Sequence, residues 1–101
     1  MPKLYEYFGL VVYFYAKEHE PVHVHGEFQG RESRAEIVLR EGKIVQIVFR
    51  TIPGRRSLKG AKLRDFRGLV KLKAEDIVRR WIDFHVMHKH NEPEIITRKL
   101  K

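Results

Sequence analysis

Apolar and polar positions alternate with a period of two through most of the first half of the chain, and switch to a helical period beyond residue 60. Residues 8–15 (FGLVVYFY) are β-branched and aromatic with almost no polar interruption, which predicts a central strand or one covered on both faces. Lys17, Glu18, His19, Glu20 and Pro21 end that run in a turn, since proline cannot donate to a strand ladder. Residues 22–28 alternate: Val22, Val24 and Phe28 share one face, and His23, His25 and Glu27 the other. Gln29, Gly30, Arg31 and Glu32 form the next predicted turn. A strand over 34–40 follows, with Ala35, Ile37 and Leu39 inward. Glu41 and Gly42 read as a two-residue hairpin turn, leading into a strand over 43–50 with Val45, Ile47 and Phe49 on one face. Four strands in succession with short connections predict an antiparallel meander.

Residues 51–60 (TIPGRRSLKG) hold Pro53, two glycines and three bases, the composition of an exposed loop. Beyond them Leu63, Phe66, Val70, Ile77, Trp81 and Phe84 recur at helical spacing between charged residues. Gly68 and the stretch 71–73 allow a break, and Glu75 and Asp76 suit the first turn of a second helix, where the dipole favours carboxylates. That helix is expected to end near His90 and Asn91, ahead of Pro93. The tail 94–100 (EIITRKL) predicts a last edge strand. The fold expected is α+β in one domain spanning residues 1–101: a curved antiparallel sheet of four or five strands, packed on one face by one kinked or two C-terminal helices, and ending in a short edge strand.

Composition removes whole classes of function. With no cysteine, disulfides, thiolate catalysis and Cys-based zinc sites are excluded. Neither a membrane-length apolar run nor an export signal is visible, so a cytoplasmic location and no membrane partner are expected. The net charge of +8 is local. Residues 1–50 balance seven bases against seven acids, whereas Arg55, Arg56, Lys59, Lys62, Arg64, Arg67, Lys71 and Lys73 face only Asp65, giving +7 over nineteen residues. Such a segment could neutralise nucleic-acid phosphates or steer an acidic protein partner, and the simpler alternative is a solvated loop and helix face.

The six histidines fall into two groups. His23 and His25 project from one strand face, with Glu27 continuing the row. Two imidazoles at i and i+2 with His19 or Glu27 could hold a divalent metal, although no cofactor is predicted outright. The same His19, His23 and His25 could act as metal-free acid and base, as in a ribonuclease, or could merely fix the hairpin by hydrogen bonds. His85, His88 and His90 with Lys89 suit a helix C-terminus, and His85 and His88 would share a helix face able to bind metal.

His19, Pro21, His23 and His25 compose a His-x-Pro-x-His-x-His pattern. With the aromatic strand before it and the helix around Val78, Trp81 and Ile82, the chain resembles the bacterial domain-of-unknown-function family numbered four-one-six-zero. Members are often encoded beside a second small protein, so the resemblance implies a component of a toxin-antitoxin-like pair. The leading expectation is a basic binding module that meets nucleic acid or an acidic protein through residues 55–73. The competing one is a histidine- or metal-dependent ribonuclease using His19, His23 and His25.

Overall fold

The computed structural model of the protein describes residues 3–14, 22–89 and 92–100. Five strands come first, β1 (Lys3–Tyr7), β2 (Leu10–Tyr13), β3 (Val22–Phe28), β4 (Arg31–Arg40) and β5 (Lys43–Thr51). Helices α1 (Gly60–Leu72) and α2 (Ala74–His85) follow, and β6 (Glu94–Ile96) closes the order. The strands form one open, curved sheet in the order β5-β4-β3-β2-β1-β6. Neighbours are antiparallel except β6, which lies parallel to β1. The class is α+β as expected, and the expected edge strand is present, but the sheet has six strands rather than four or five.

The additional strand is β1, which precedes the run 8–15 and pairs with its shortened remainder, β2. Tyr7 pairs with Leu10, and Phe8 and Gly9 between them have φ of +47° and +89°, so they are a two-residue hairpin turn rather than the start of a strand. Two further hairpins are built alike. Gln29 and Gly30 (φ +50° and +81°) join β3 to β4, and Glu41 and Gly42 (φ +54° and +79°) join β4 to β5. The turn expected over 29–32 is therefore only two residues long, and Glu32 belongs to a strand. Val45 departs from expectation too. A register shift lets Leu39 pair with Ile44 while Val38 pairs with Gln46, so Ile44 turns towards the core and Val45 is left exposed.

Both helices cover one face of the sheet. Phe66, Leu69 and Val70 of α1 and Ile77 and Trp81 of α2 bury against Val12, Phe14, Val22, Val24, Ala35 and Ile37. Each large side chain contributes about 2–3 kcal/mol by leaving water. Gly26 is what lets α1 approach, because a Cβ there would lie 2.4 Å from the Phe66 ring. The helices are separate elements that meet at Lys73, whose φ of −103° and ψ of 15° end one ladder and start the next. Glu75 and Asp76 occupy the first turn of α2 as expected. The helix ends earlier than expected, at His85 rather than near His90: Val86 caps it, and His88 at φ +59° has left the helical path. Tyr5 donates a hydrogen bond from β1 to Asp76 of α2, which also accepts from Arg79 and Arg80. Among the described residues no helix is long and apolar enough to cross a membrane.

Candidate functional site

The sheet face turned away from the helices carries the polar rows of β2, β3 and β4, and register aligns them. Tyr13, His25, Arg34 and Arg50 stand opposite one another across four strands. His23 faces Glu36 one step along, and Glu27 faces Glu32 on the other side. These rows converge on Glu32, a carboxylate only 2% exposed. Tyr13 donates its hydroxyl to Glu32 Oε2 at 2.7 Å, His25 Nδ1 lies 3.0 Å from the same oxygen, and an Arg55 guanidinium nitrogen lies 3.1 Å from Oε1. The His25 ring stacks on Tyr13 at 5.5 Å and 18°, and the His23 ring stands edge-on to it at 6.0 Å. A carboxylate so withdrawn from water is tolerable only when polar partners replace the lost hydration: Tyr13 donates to Glu32 and Arg55 pairs with its charge, with the His25 ring in close contact.

The loop after β5 delivers Arg55. Glu32 donates its backbone N–H to Arg56 O at 2.7 Å, Leu58 donates to Ser33 Oγ at 3.0 Å, and Arg31 donates to Ser57 O at 3.1 Å. Arg55, expected to join the polyanion surface, is thereby committed to the outer face, although it stays 44% exposed. Chemically, a carboxylate oxygen 3.0 Å from His25 Nδ1 is placed to accept from that nitrogen when it carries a proton. Of the three histidines assigned to chemistry, the structure brings His23 and His25 together, while His19 and Pro21 lie outside the described residues. Among the described residues no three of His, Asp or Glu gather to hold a metal ion, the set His23, His25 and Glu27 included.

Tyr13 and Glu32 were missed in the sequence. The signal for Glu32 was the polar row Glu32, Arg34, Glu36, which becomes visible once β4 is allowed to start at Arg31. The second histidine group divides. His85 packs its ring 4.8 Å from Trp81 and 5.2 Å from Phe14, and His88 is exposed beyond the helix end. The shared helix face that a metal would need is not formed, and His90 lies outside the described residues.

The remaining bases of the basic segment line the loop and α1. Arg56, Lys59, Arg64 and Arg67 are exposed. Lys62 donates to Phe8 O at 2.7 Å and stands 4.5 Å over the Phe28 ring, and Arg67 lies 5.5 Å over Phe49. A shallow groove of about 510 Å³ follows one flank of α1, along Gly60, Leu63, Arg64, Arg67, Gly68 and Lys71. Elsewhere Lys3, Arg34, Arg50, Arg55, Lys73, Arg79 and Arg80 each hold a carboxylate. Among the described residues none pairs with Arg56, Lys59, Lys62, Arg64, Arg67 or Lys71.

No curated protein and no solved structure matches the chain. A family model described as a domain of unknown function, DUF4160, matches residues 9–82, from the first hairpin turn into α2, and the chain belongs to that family.

Proposed function

We propose that this protein is a basic binding module whose contact surface is the loop before α1 together with the exposed flank of that helix, and whose ligand is nucleic acid. The carrying observation is the run of six bases, Arg56, Lys59, Lys62, Arg64, Arg67 and Lys71, none of which meets a carboxylate among the described residues. A fold that pairs Lys3, Arg34, Arg50, Arg55, Lys73, Arg79 and Arg80 with carboxylates leaves this strip charged, and a strip of one sign along a groove attracts phosphates and releases their counterions on binding. Membership in a two-protein, toxin-antitoxin-like pair is what the family resemblance implies, and an acidic protein is the competing occupant of the same strip.

The test is a titration of binding to an RNA strand, a DNA duplex and an acidic polypeptide, each at several salt concentrations. Nucleic-acid binding at about 50 mM salt that weakens linearly in log–log form, with a slope reduced by about 2 to 3 in the triple variant Arg64→Gln, Arg67→Gln, Lys71→Gln, is the expected result. Binding to the acidic polypeptide alone assigns the strip to a protein partner instead.

A second reading is favoured by the Glu32 cluster. One carboxylate that gathers an imidazole, a phenol and a guanidinium forms a set suited to acid-base chemistry on a phosphodiester, with His25 as acid or base, His23 beside it and Arg55 to meet the phosphate. His25→Gln should then abolish cleavage of an RNA substrate with the melting temperature nearly unchanged. A lowered melting temperature and no cleavage by the native protein would make the cluster structural.

A further inference from the structure

We infer that the nucleic acid bound is single-stranded, and that an unpaired base stacks on Phe8 at the tip of the first hairpin; this rests on the nucleic-acid reading above and names the strandedness of its ligand. Phe8 is 50% exposed, and it stands at φ +47° in a turn position that favours Asn, Asp or Gly and disfavours bulky side chains. The equivalent positions of the other two hairpins hold polar Gln29 and Glu41. The sequence thus spends backbone strain and exposed apolar area at one tip, and such outliers cluster where a ligand is met.

The surroundings turn that ring into a platform. Lys62 ties the Phe8 carbonyl at 2.7 Å, and Tyr7 braces the ring edge-on at 4.8 Å, so the aromatic face is presented with little freedom left to lose. The neighbouring tip of β3 and β4 brings Phe28 against Gly9, where a Cβ would come within 3.0 Å of the ring. Phe28, Gln29, Arg31, Leu58, Lys59 and Lys62 line a recess of about 160 Å³ there, with Gln29 and Arg31 carrying groups that can bond a base edge. From Lys62 the helix runs to Lys71 over about 14 Å, and Arg64 and Arg67 lie along it to receive the following phosphates. A duplex keeps its base faces stacked inside, so it can use the charged flank but not Phe8. A single strand can use both.

The experiment measures fluorescence anisotropy of labelled single-stranded RNA, single-stranded DNA and duplex of equal length with the full chain, its Phe8→Asn and Phe8→Tyr variants, and the α1 triple variant. The expected result is a preference for single strands over duplex. Phe8→Asn should weaken single-strand binding about 5- to 150-fold, the range of one lost stacking contact, while leaving duplex binding alone. Phe8→Tyr should retain the native affinity. Asn suits a positive φ, so a thermal melt of Phe8→Asn at or above the native midpoint separates lost stacking from lost fold. Equal affinity of Phe8→Asn and the native chain, or equal binding of duplex and single strand, overturns stacking and leaves the charged-strip reading standing. Absence of any nucleic-acid binding at about 50 mM salt overturns both.

Discussion

Trp81 and Asp76 sit five residues apart on α2 and do opposite work. Trp81 is buried against the sheet, and among the described residues its Nε1 has no hydrogen-bond partner, so its contribution is packing. Trp81→Ala should cost about 3–5 kcal/mol, whereas Trp81→Phe, which keeps most of the apolar volume and forfeits no bond, should cost less than half of that; equilibrium denaturation compares them. Asp76 is electrostatic. Burial pushes its carboxyl up, but the hydrogen bonds it accepts from Tyr5, Arg79 and Arg80 outweigh that and hold it at about 2, below its ordinary value of 3.8. A folded-state value below the unfolded one means stability that is complete above about pH 4 and is lost as pH falls towards 2. The Tyr5 phenol is displaced the other way, above its ordinary value of 10.0, by burial first and then by the bond to Asp76. Its contribution is complete below pH 10 and drains away above it. Tyr5→Phe should therefore flatten the alkaline limb of a stability-against-pH curve and steepen nothing there, and an unchanged alkaline limb would show that the phenol is not the group responsible.

At the scale of elements, what could be read in the sequence depended on whether the signal was local. The alternation of β3 and the helical stripe of α1 and α2 were legible, and so was the Glu41-Gly42 turn, because each is written in neighbouring residues. The Phe8-Gly9 turn was not, since an aromatic in a positive-φ position runs against turn chemistry and hides inside an apolar run. Strand β1 escaped for a related reason. A register irregularity between Lys3 and Tyr5 buries Leu4 and Tyr5 in succession, which erases the alternation that marks a strand. Strand β6 has only three residues and needs anchors. Arg80 donates to Glu92 O at 2.7 Å and lies 3.8 Å from Glu94, and Lys73 lies 3.6 Å from Glu94. Arg80→Ala should speed amide exchange of Glu94–Ile96 by an order of magnitude or more while β3 and β4 keep their protection, as expected for an edge that opens separately from the core.

For the molecule as a whole, the candidate site was legible in its parts and not in its assembly. Composition located the basic segment and the histidine pattern pointed at His23 and His25, but Glu32 acquires its role only from Tyr13, nineteen residues before it, and from Arg55, which the loop carries to the outer face. That link means the basic segment and the histidine face are not independent surfaces: Arg55 departs from one and arrives at the other. Glu32→Gln should consequently disturb both. It removes the carboxylate charge that Arg55 pairs with and the oxygen that His25 faces, and because Arg55 stays 44% exposed the cost in denaturant unfolding should be about 1–3 kcal/mol. Less than about 1 kcal/mol would mean that the network is solvated.

The outer edge of β5 is open. Strand β5, Lys43–Thr51, pairs with β4 on one side and with no other strand of the described sheet on the other. An unpaired strand edge rich in Ile and Val is a template for another chain, and here the bulge at Val45 and the charges of Lys43 and Arg50 are its main local safeguards. The remaining safeguard is colloidal: copies carrying +8 repel one another. Whatever cancels that charge, whether concentrated salt or a stoichiometric polyanion, removes the repulsion and leaves the edge exposed. Light scattering should therefore show association rising as ligand approaches charge equivalence and receding when excess ligand reverses the sign, a re-entrant profile that a neutral or well-capped sheet would not give.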